Sequence, residues 1–414
     1  MSERGTRVYV VPGRVELVGK HVDYAGGRSI TCAVDRSITA TVTEIDEPVI
    51  RVRDEGKRGF VEVPLVAGVT RSHGGKRRGT YVVAVARRFA RDFPRARTGV
   101  DVSLRSELPA SAGLSSSSAL VVALGSALAG ANPMHDDDAW SAIVGDPLAR
   151  AEYFGAMETG APYGPFDGDD GVGARGGAQD HVAIVCARAE HVGQFSYVPA
   201  RLERYVPWPT RYALVIGVSG VRATKTGNAR ARYNRVSDSA RALLRAWNAA
   251  TARLDVTLAD ALASDPDAAD RLARLAAMGA EGFDGTYLAP RFAQFREEID
   301  VIVPRVGDAL RDRDFAALGP LVDRSMELAT TALGNQVPET IFLAHRAREL
   351  GAAAASAFGA GFGGAVWAMV PTTDADAFVA RWREAYLATF PRREPNAQWL
   401  VTRPGGPAHE LPLK

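Results

Sequence analysis

The chain has 414 residues, 46% hydrophobic and 24% charged, and a formal net charge of +2 from 50 basic and 48 acidic side chains. That length suits two domains of about 200 residues better than one core, and the composition is that of an ordinary globular protein. The balanced charge gives no electrostatic case for a nucleic-acid or membrane partner.

No apolar run approaches the ~20 residues of a membrane span, and the charged start, "MSERGTRVYV", lacks the apolar centre of a signal peptide. A cytoplasmic location is the expectation. Cys32 and Cys186 lie in apolar, strand-like contexts. They read as buried, reduced thiols and not as a disulfide or a zinc site.

In chain order, the segments from Thr6, from Arg28 and from Pro48 carry the β-branched alternation of an antiparallel sheet. "GTYVVAVARRFARDF" reads as an amphipathic helix and "TGVDVSLRSEL" as a strand. A small-residue loop then runs into an apolar helix, "SALVVALGSALAG", and a second helix is expected over 138–157, capped by Asp136 to Asp138. A glycine- and aspartate-rich loop covers 159–178, and "HVAIVCA" leaves it as an expected strand. "RYALVIGVS" is a further strand, 228–348 is helical, and the chain ends as loop, strand, helix and strand from Ser356 onward. The basic run Lys76-Arg77-Arg78 reads as a solvated loop. The two prolines of "ERYVPWPT" mark a boundary, giving domains 1–205 and 206–414 and an α+β fold class.

The most informative stretch is Pro109-Ala110-Ser111-Ala112-Gly113-Leu114-Ser115-Ser116-Ser117-Ser118. Small residues let backbone approach a ligand, and the first N–H groups of the following helix have no internal partner. The helix dipole adds positive potential there, so a polyphosphate fits. Read otherwise, it is a serine-capped helix after a loop. It is neither a Walker A loop, since no Gly-Lys-Ser/Thr follows, nor a dinucleotide fingerprint. "DGDDG" at 167–171 has no glutamate to close a calcium loop.

"PASAGLSSSSAL" resembles the second motif of the GHMP kinases. The resemblance implies a two-domain architecture, with an N-terminal ribosomal-protein-S5-like domain and a C-terminal ferredoxin-like α/β domain with added helices. It also implies ATP and Mg2+ as cofactors. The loop from Pro109 to Ser118 would hold the ATP phosphates, with Ser117 and, on the next helix, Glu152 of "ARAEYFG" as metal ligands. Read otherwise, Glu152 is an exposed helix charge.

"PGRVELVGKHVDYAGG" packs arginine, histidine, aspartate and tyrosine between glycines, the kind of set that sugar hydroxyls require. Any one of these residues taken alone also fits a solvated surface turn. The segment resembles the galactokinase signature Pro-Gly-Arg-Val-Asn-Leu-Ile-Gly-Glu-His-Thr-Asp-Tyr. By that resemblance Arg14 lies beside the transferring phosphate, and His21, Asp23 and Tyr24 belong to the sugar site. Two positions depart from it. Glu16 stands for asparagine, and Lys20 for a glutamate that contacts the sugar's C6 hydroxyl. Exchanging an acceptor for a donor at Lys20 suggests an acidic substrate such as galacturonate. Alternatively, Lys20 pairs with Glu16 or another carboxylate and never meets substrate.

"GGAQDH" resembles the element that carries the family's catalytic aspartate, here Asp180, with Gly177 beside the sugar. A carboxylate there can take the proton of an attacking anomeric hydroxyl. Positioning and charge neutralisation by magnesium and Arg14 would supply most of the catalysis. His181 reads as a supporting hydrogen-bonder. "GAGFGG" resembles the third family motif and puts Gly361 near the pocket, and Tyr233 falls on a sugar-contacting tyrosine. Together the motifs imply a sugar 1-kinase acting on galactose, a related hexose or a uronic acid. A silent sugar and ATP sensor, or a kinase for a non-sugar alcohol, are the competing readings. Monomer and homodimer both stay open.

Overall fold

The structure is a computed structural model describing residues 5–74, 76–109, 112–222 and 228–412. Strand β1 (Thr6–Val18) turns through a short helical turn, Asp23–Ala25, into β2 (Arg28–Ile45). A hairpin of β3 (Val49–Asp54) and β4 (Val61–Pro64) is followed by α1 (Lys76–Asp92) and β5 (Gly99–Ser106). Four helices follow: α2 (Ser116–Ala131), α3 (Asp138–Gly145), α4 (Pro147–Thr159) and α5 (Gln179–Val185). The pair β6 (His191–Ser196) and β7 (Arg201–Pro207) completes this part.

Strand β8 (Tyr212–Val218) opens the second sheet. Helices α6 (Asn228–Thr251), α7 (Leu258–Ala263), α8 (Ala268–Met278) and α9 (Gly285–Glu297) come next. A π-helical turn, Glu298–Ile302, runs on into α10 (Val303–Asp312). The chain closes with α11 (Phe315–Thr331), α12 (Pro338–Glu349), β9 (Ala354–Ala357), β10 (Ala365–Pro371), α13 (Ala375–Thr389), β11 (Gln398–Thr402) and β12 (His409–Leu411).

The first sheet has the order β12-β1-β2-β5-β3-β4, with β6 on the N-terminal end of β2 and β7 beyond it. The second has the order β11-β8-β10-β9. Strands β8 and β10 are buried on both faces. Leu214, Ile216, Val218, Trp367 and Met369 enter a core shared with the first sheet. Ala213, Val215, Val366 and Ala368 face a second core under α12 and α13. That two-sided burial explains why both strands read as unbroken apolar runs. A third cluster, built by α6 to α9, closes around Val22 and Ala25 of the β1–β2 turn. The α+β class expected from the sequence is the one observed. We propose 1–205 and 206–414 as the two units, with β12 returned to the first sheet.

Three local expectations are corrected. "HVAIVCA" is not a strand: residues 179–185 form α5, and all seven of its residues are buried. Burial on every side erases the helical period, and a short apolar run cannot be assigned by pattern alone. The expected helix over 138–157 is two, α3 and α4, broken at Asp146-Pro147, where Asp146 caps α4 by accepting the Leu148 N–H. Lys76 to Arg78 open α1 instead of forming a loop, and Arg78 pairs with Asp54 at 2.6 Å. The side chains of Lys76 and Arg77 lie outside the described residues.

The long loop after α4 is held down by α1. Arg87 donates to Asp169 Oδ2 at 3.1 Å and to the Gly171 carbonyl at 3.2 Å. Arg88, fully buried, pairs with Asp92 and donates to the Ala161 carbonyl at 2.7 Å. Tyr163 and Phe166 pack on Tyr153 and Phe93. Arg88→Leu is expected to lower stability by about 2 kcal/mol or more, through the buried Asp92 and the orphaned carbonyl. It should also expose the loop to limited proteolysis. Unchanged urea unfolding and cleavage would contradict this anchoring.

Candidate active site

Alternation along β1 sends Val15 and Leu17 into the core and puts Arg14 and Glu16 on the other face. A cleft over that face is lined by Arg14, Glu16, His21, Asp23, Gly177, Gln179, Asp180, Tyr233, Gly359 and Ala360. Four distant segments meet here: the β1–β2 turn, the start of α5, α6 and the glycine loop before β10.

At its centre is a buried ion pair. Arg14 Nε donates to Asp180 Oδ1 at 2.7 Å, and a terminal nitrogen lies 2.6 Å from the same oxygen. The other terminal nitrogen donates to the Gly113 carbonyl at 2.7 Å, and the Arg14 N–H donates to the Leu114 carbonyl at 3.2 Å. Asp180 Oδ2 accepts from Ser115 Oγ at 2.7 Å and from Ser118 Oγ at 3.3 Å. Burial pushes the Arg14 guanidinium down, but Asp180 and Glu16 more than reverse that, so it stays charged.

The small-residue loop therefore divides its labour. Ala112 and Leu114 are core residues, and Ser115 and Ser118 point at Asp180. Ser116 and Ser117, half-buried in the first turn of α2, keep the surface beside the helix N-terminus. Gly113 has φ +84°, and a Cβ there would meet nothing nearer than 3.7 Å. That side of the backbone lies at ordinary contact distance from Phe358, Gly364 and Ala365, so glycine is needed here for its positive φ. Ser111 lies outside the described residues, and Pro109 precedes that gap. Glu152 does not fit as a metal ligand: its Oε1 accepts the Ala200 N–H at 2.7 Å, at the β7 end of the β6–β7 turn. Among the described residues there is no cluster of three or more His, Cys, Asp or Glu side chains able to hold a metal.

The turn after β1 is fixed from behind by helices that the sequence did not tie to it. His21 sits at φ +56°. Its Nε2 donates to the Ala360 carbonyl at 3.3 Å, leaving Nδ1 to accept the Tyr24 hydroxyl at 3.3 Å. Arg291 of α9 donates to the His21 carbonyl at 2.6 Å and to the Tyr24 hydroxyl at 3.2 Å. Gln294 donates to the Lys20 carbonyl at 3.0 Å. Asp23 Oδ2 accepts the Gln179 N–H at 3.3 Å, which ties the turn to α5. Gly177 is required there, since a Cβ would lie 2.4 Å from Asp23 Oδ2.

Lys20 does not line the cleft. It is fully buried, and its Nζ donates to Ser325 Oγ at 2.9 Å. Ser325 donates to Glu298 Oε1 at 2.6 Å, and Glu298 Oε2 accepts the Gly19 N–H at 2.9 Å. Burial pushes the Lys20 ammonium down against the opposing pull of Glu298 and Glu16. Tyr24 stands behind His21, outside the lining. Gly361 also stands back from it: its φ is +74°, and a Cβ would strike the Asn335 carbonyl at 2.3 Å. Gly359 and Ala360 line the cleft instead. His181 faces away from the cleft, with Nε2 3.1 Å from Glu158. Sequence reasoning missed Arg291, Gln294, Glu298 and Ser325, because nothing in a polar helix marks which residue reaches inward.

Family models match three parts of the chain: the galactokinase galactose-binding signature over residues 2–44, the GHMP kinases N terminal domain over 80–155 and the GHMP kinases C terminal domain over 308–388. A galactokinase of Chloroflexus aggregans is 30% identical over 234 residues, 54% of this chain but only 51% of that protein. One from Actinobacillus succinogenes is 25% identical over 382 residues, 88% of this chain and 86% of that protein. The crystal structure of Lactococcus lactis galactokinase complexed with galactose superposes with a TM-score of 0.79 at 20% identity, covering 98% of this chain and 95% of that one. The chain carries both GHMP kinase domains together with the galactokinase signature, and it has that family's two-domain fold. Within that family it is galactokinase-like.

Two tests follow from the buried charges. Lys20→Met leaves Glu298 buried without its cation and is expected to lower stability by about 3–5 kcal/mol, read by urea denaturation. A stable variant with altered substrate preference would put Lys20 back in the site. Burial pushes Glu16 up to about 7, against the opposing pull of Lys20, Arg14 and the Gln179 amide. Its folded value thus lies above the unfolded 4.5, so the native state holds the extra proton and stability is lost as pH rises from about 4.5 to 7. Glu16→Gln should remove that loss, so its melting temperature gains on the wild type between pH 5 and pH 8. A constant difference would contradict it.

Proposed function

We propose that the chain is an ATP-dependent sugar kinase that phosphorylates the anomeric hydroxyl of a free hexose of the galactose type. The observation that carries this reading is the Arg14–Asp180 pair, which touches the Gly113 carbonyl of the phosphate loop on one side and adjoins the His21–Asp23 turn on the other.

ATP, bound with Mg2+, supplies the phosphoryl group. The N–H groups at the start of α2, with the Ser116 and Ser117 hydroxyls, would hold its phosphates, and Ser117 would reach the metal. His21, Asp23, Gly177 and Tyr233 border the space where a sugar would lie. Asp180 accepts the proton of the attacking hydroxyl as its oxygen bonds to phosphorus. Arg14 stabilises the charge that builds on the transferred group. The acidic-substrate idea rested on Lys20, and its engagement with Ser325 and Glu298 removes that support. A neutral hexose suits the cleft better than a uronic acid.

Incubation with Mg-ATP and a panel of hexoses, hexuronic acids and pentoses should release ADP, most rapidly with a neutral hexose. No release above background with any sugar would refute the reading, and thermal stabilisation by sugar without turnover would favour a sensor. Asp180→Asn is expected to lower kcat by about 100-fold or more while ATP affinity stays within about threefold. Circular dichroism should confirm the fold, since Arg14 loses its counter-charge. Retention of most activity would overturn the assignment of Asp180.

A further inference from the structure

Glu16 lies on the floor of the cleft, between Arg14 and the turn, and is only 3% exposed. Its Oε2 accepts the side-chain amide of Gln179, which fixes the carboxyl plane. Its Oε1 is buried and has no hydrogen-bond partner among the described residues. Directly opposite on β2, in register with Glu16, stands Thr31. The Thr31 Oγ1 is also buried and also lacks a partner among the described residues. Facing residues of an antiparallel pair hold their Cβ atoms about 4.5–5.5 Å apart. Two orphaned oxygens thus belong to facing residues of β1 and β2, two positions along β1 from Arg14 of the ion pair. Buried polar atoms without partners are rare and call for a ligand or a bound water.

We propose that Glu16 is a specificity-determining residue whose free oxygen, with Thr31 beside it, binds one hydroxyl of the acceptor sugar. This rests on the sugar-kinase reading and deepens it. The chemical class follows from the donor set. The groups that face Glu16 are Arg14 and Lys20 along the same chain segment, Gln179 and Asp180 from α5, and Tyr197 after β6. Among them Glu16 is poised between its acid and its carboxylate near neutral pH. A hydroxyl can accept from the acid or donate to the carboxylate, so it satisfies both forms. A carboxylate substituent or a hydrogen in its place does not. The floor of the cleft therefore selects for a neutral hydroxyl at one ring position and against its deoxy counterpart.

The test is a thermodynamic cycle. The kcat/KM values of the wild type and of Glu16→Met are measured with D-galactose and with its 2-, 3-, 4- and 6-deoxy forms. For one deoxy sugar the wild type should lose about tenfold or more relative to galactose. In Glu16→Met that same ratio should shrink to about twofold or less, and Glu16→Gln should restore part of it. Ratios that match in wild type and Glu16→Met for all four sugars would overturn the proposal, as would a water filling the site without coupling to any sugar hydroxyl. If Glu16→Met does not fold, the isosteric Glu16→Gln carries the test. The wild-type penalty for that deoxy sugar should rise between pH 6 and pH 8, as the carboxylate forms, and stay flat in the variant. Equal slopes would overturn the proposal. A wild type that phosphorylates no sugar at all defeats the parent reading and this one with it, whereas turnover without coupling defeats this one alone.

Discussion

A guanidinium and a carboxylate taken out of water lose more hydration than their mutual attraction returns, unless their remaining hydrogen-bonding capacity is filled. Arg14 and Asp180 meet that condition. Arg14 uses a second nitrogen on the Gly113 carbonyl, and Asp180 takes two serine hydroxyls from the start of α2. The contacts that offset the burial come from the loop proposed to hold phosphate. The pair cannot assemble unless β1, α2 and α5 are all in place. The proposed catalytic geometry is thus a condition of the fold that brings these elements together. Pre-placed charge of this kind is where enzymes gain most.

The same logic governs the turn proposed to hold the sugar. The β1–β2 turn offers short, polar residues that would be mobile on a surface. Here its apolar members, Val22 and Ala25, are embedded in a helical cluster, and its carbonyls at Lys20 and His21 are bonded by Gln294 and Arg291. Lys20, Ser325 and Glu298 then join the turn to α11 and the π-helical turn. A helical segment some 270 residues away, on the count between His21 and Arg291, therefore sets the positions of His21 and Asp23.

Much of this was legible in the sequence, and the reasons for the gaps are physical. The strands of the first sheet show because one face is apolar and the other is not. The small-residue loop and the Arg14 segment show because glycine, serine and charged residues crowd there between apolar stretches. Asp180 stands out in the sequence but its helical setting does not, since α5 is buried on all sides and carries no period. Lys20 looks like a substrate contact in the sequence because it adjoins residues proposed to border the sugar. Only the tertiary fold reveals that its side chain turns under the strand to Ser325. Glu152 resembles a family metal ligand in its local sequence, yet its carboxylate accepts the Ala200 N–H. The serine run resembles a phosphate loop throughout, whereas its first and last members, Ser115 and Ser118, donate to Asp180.

The central claim is that the Arg14–Asp180 pair joins a phosphate site to a sugar site across one reacting distance. A crystal structure with D-galactose and a non-hydrolysable ATP analogue tests it most directly. The account requires the anomeric oxygen within hydrogen-bond reach of Asp180, about 2.6–3.2 Å, and the terminal phosphate beside Arg14 at the start of α2. A sugar bound away from Asp180, or a nucleotide whose terminal phosphate lies elsewhere than the Gly113–Ser117 stretch, would contradict it.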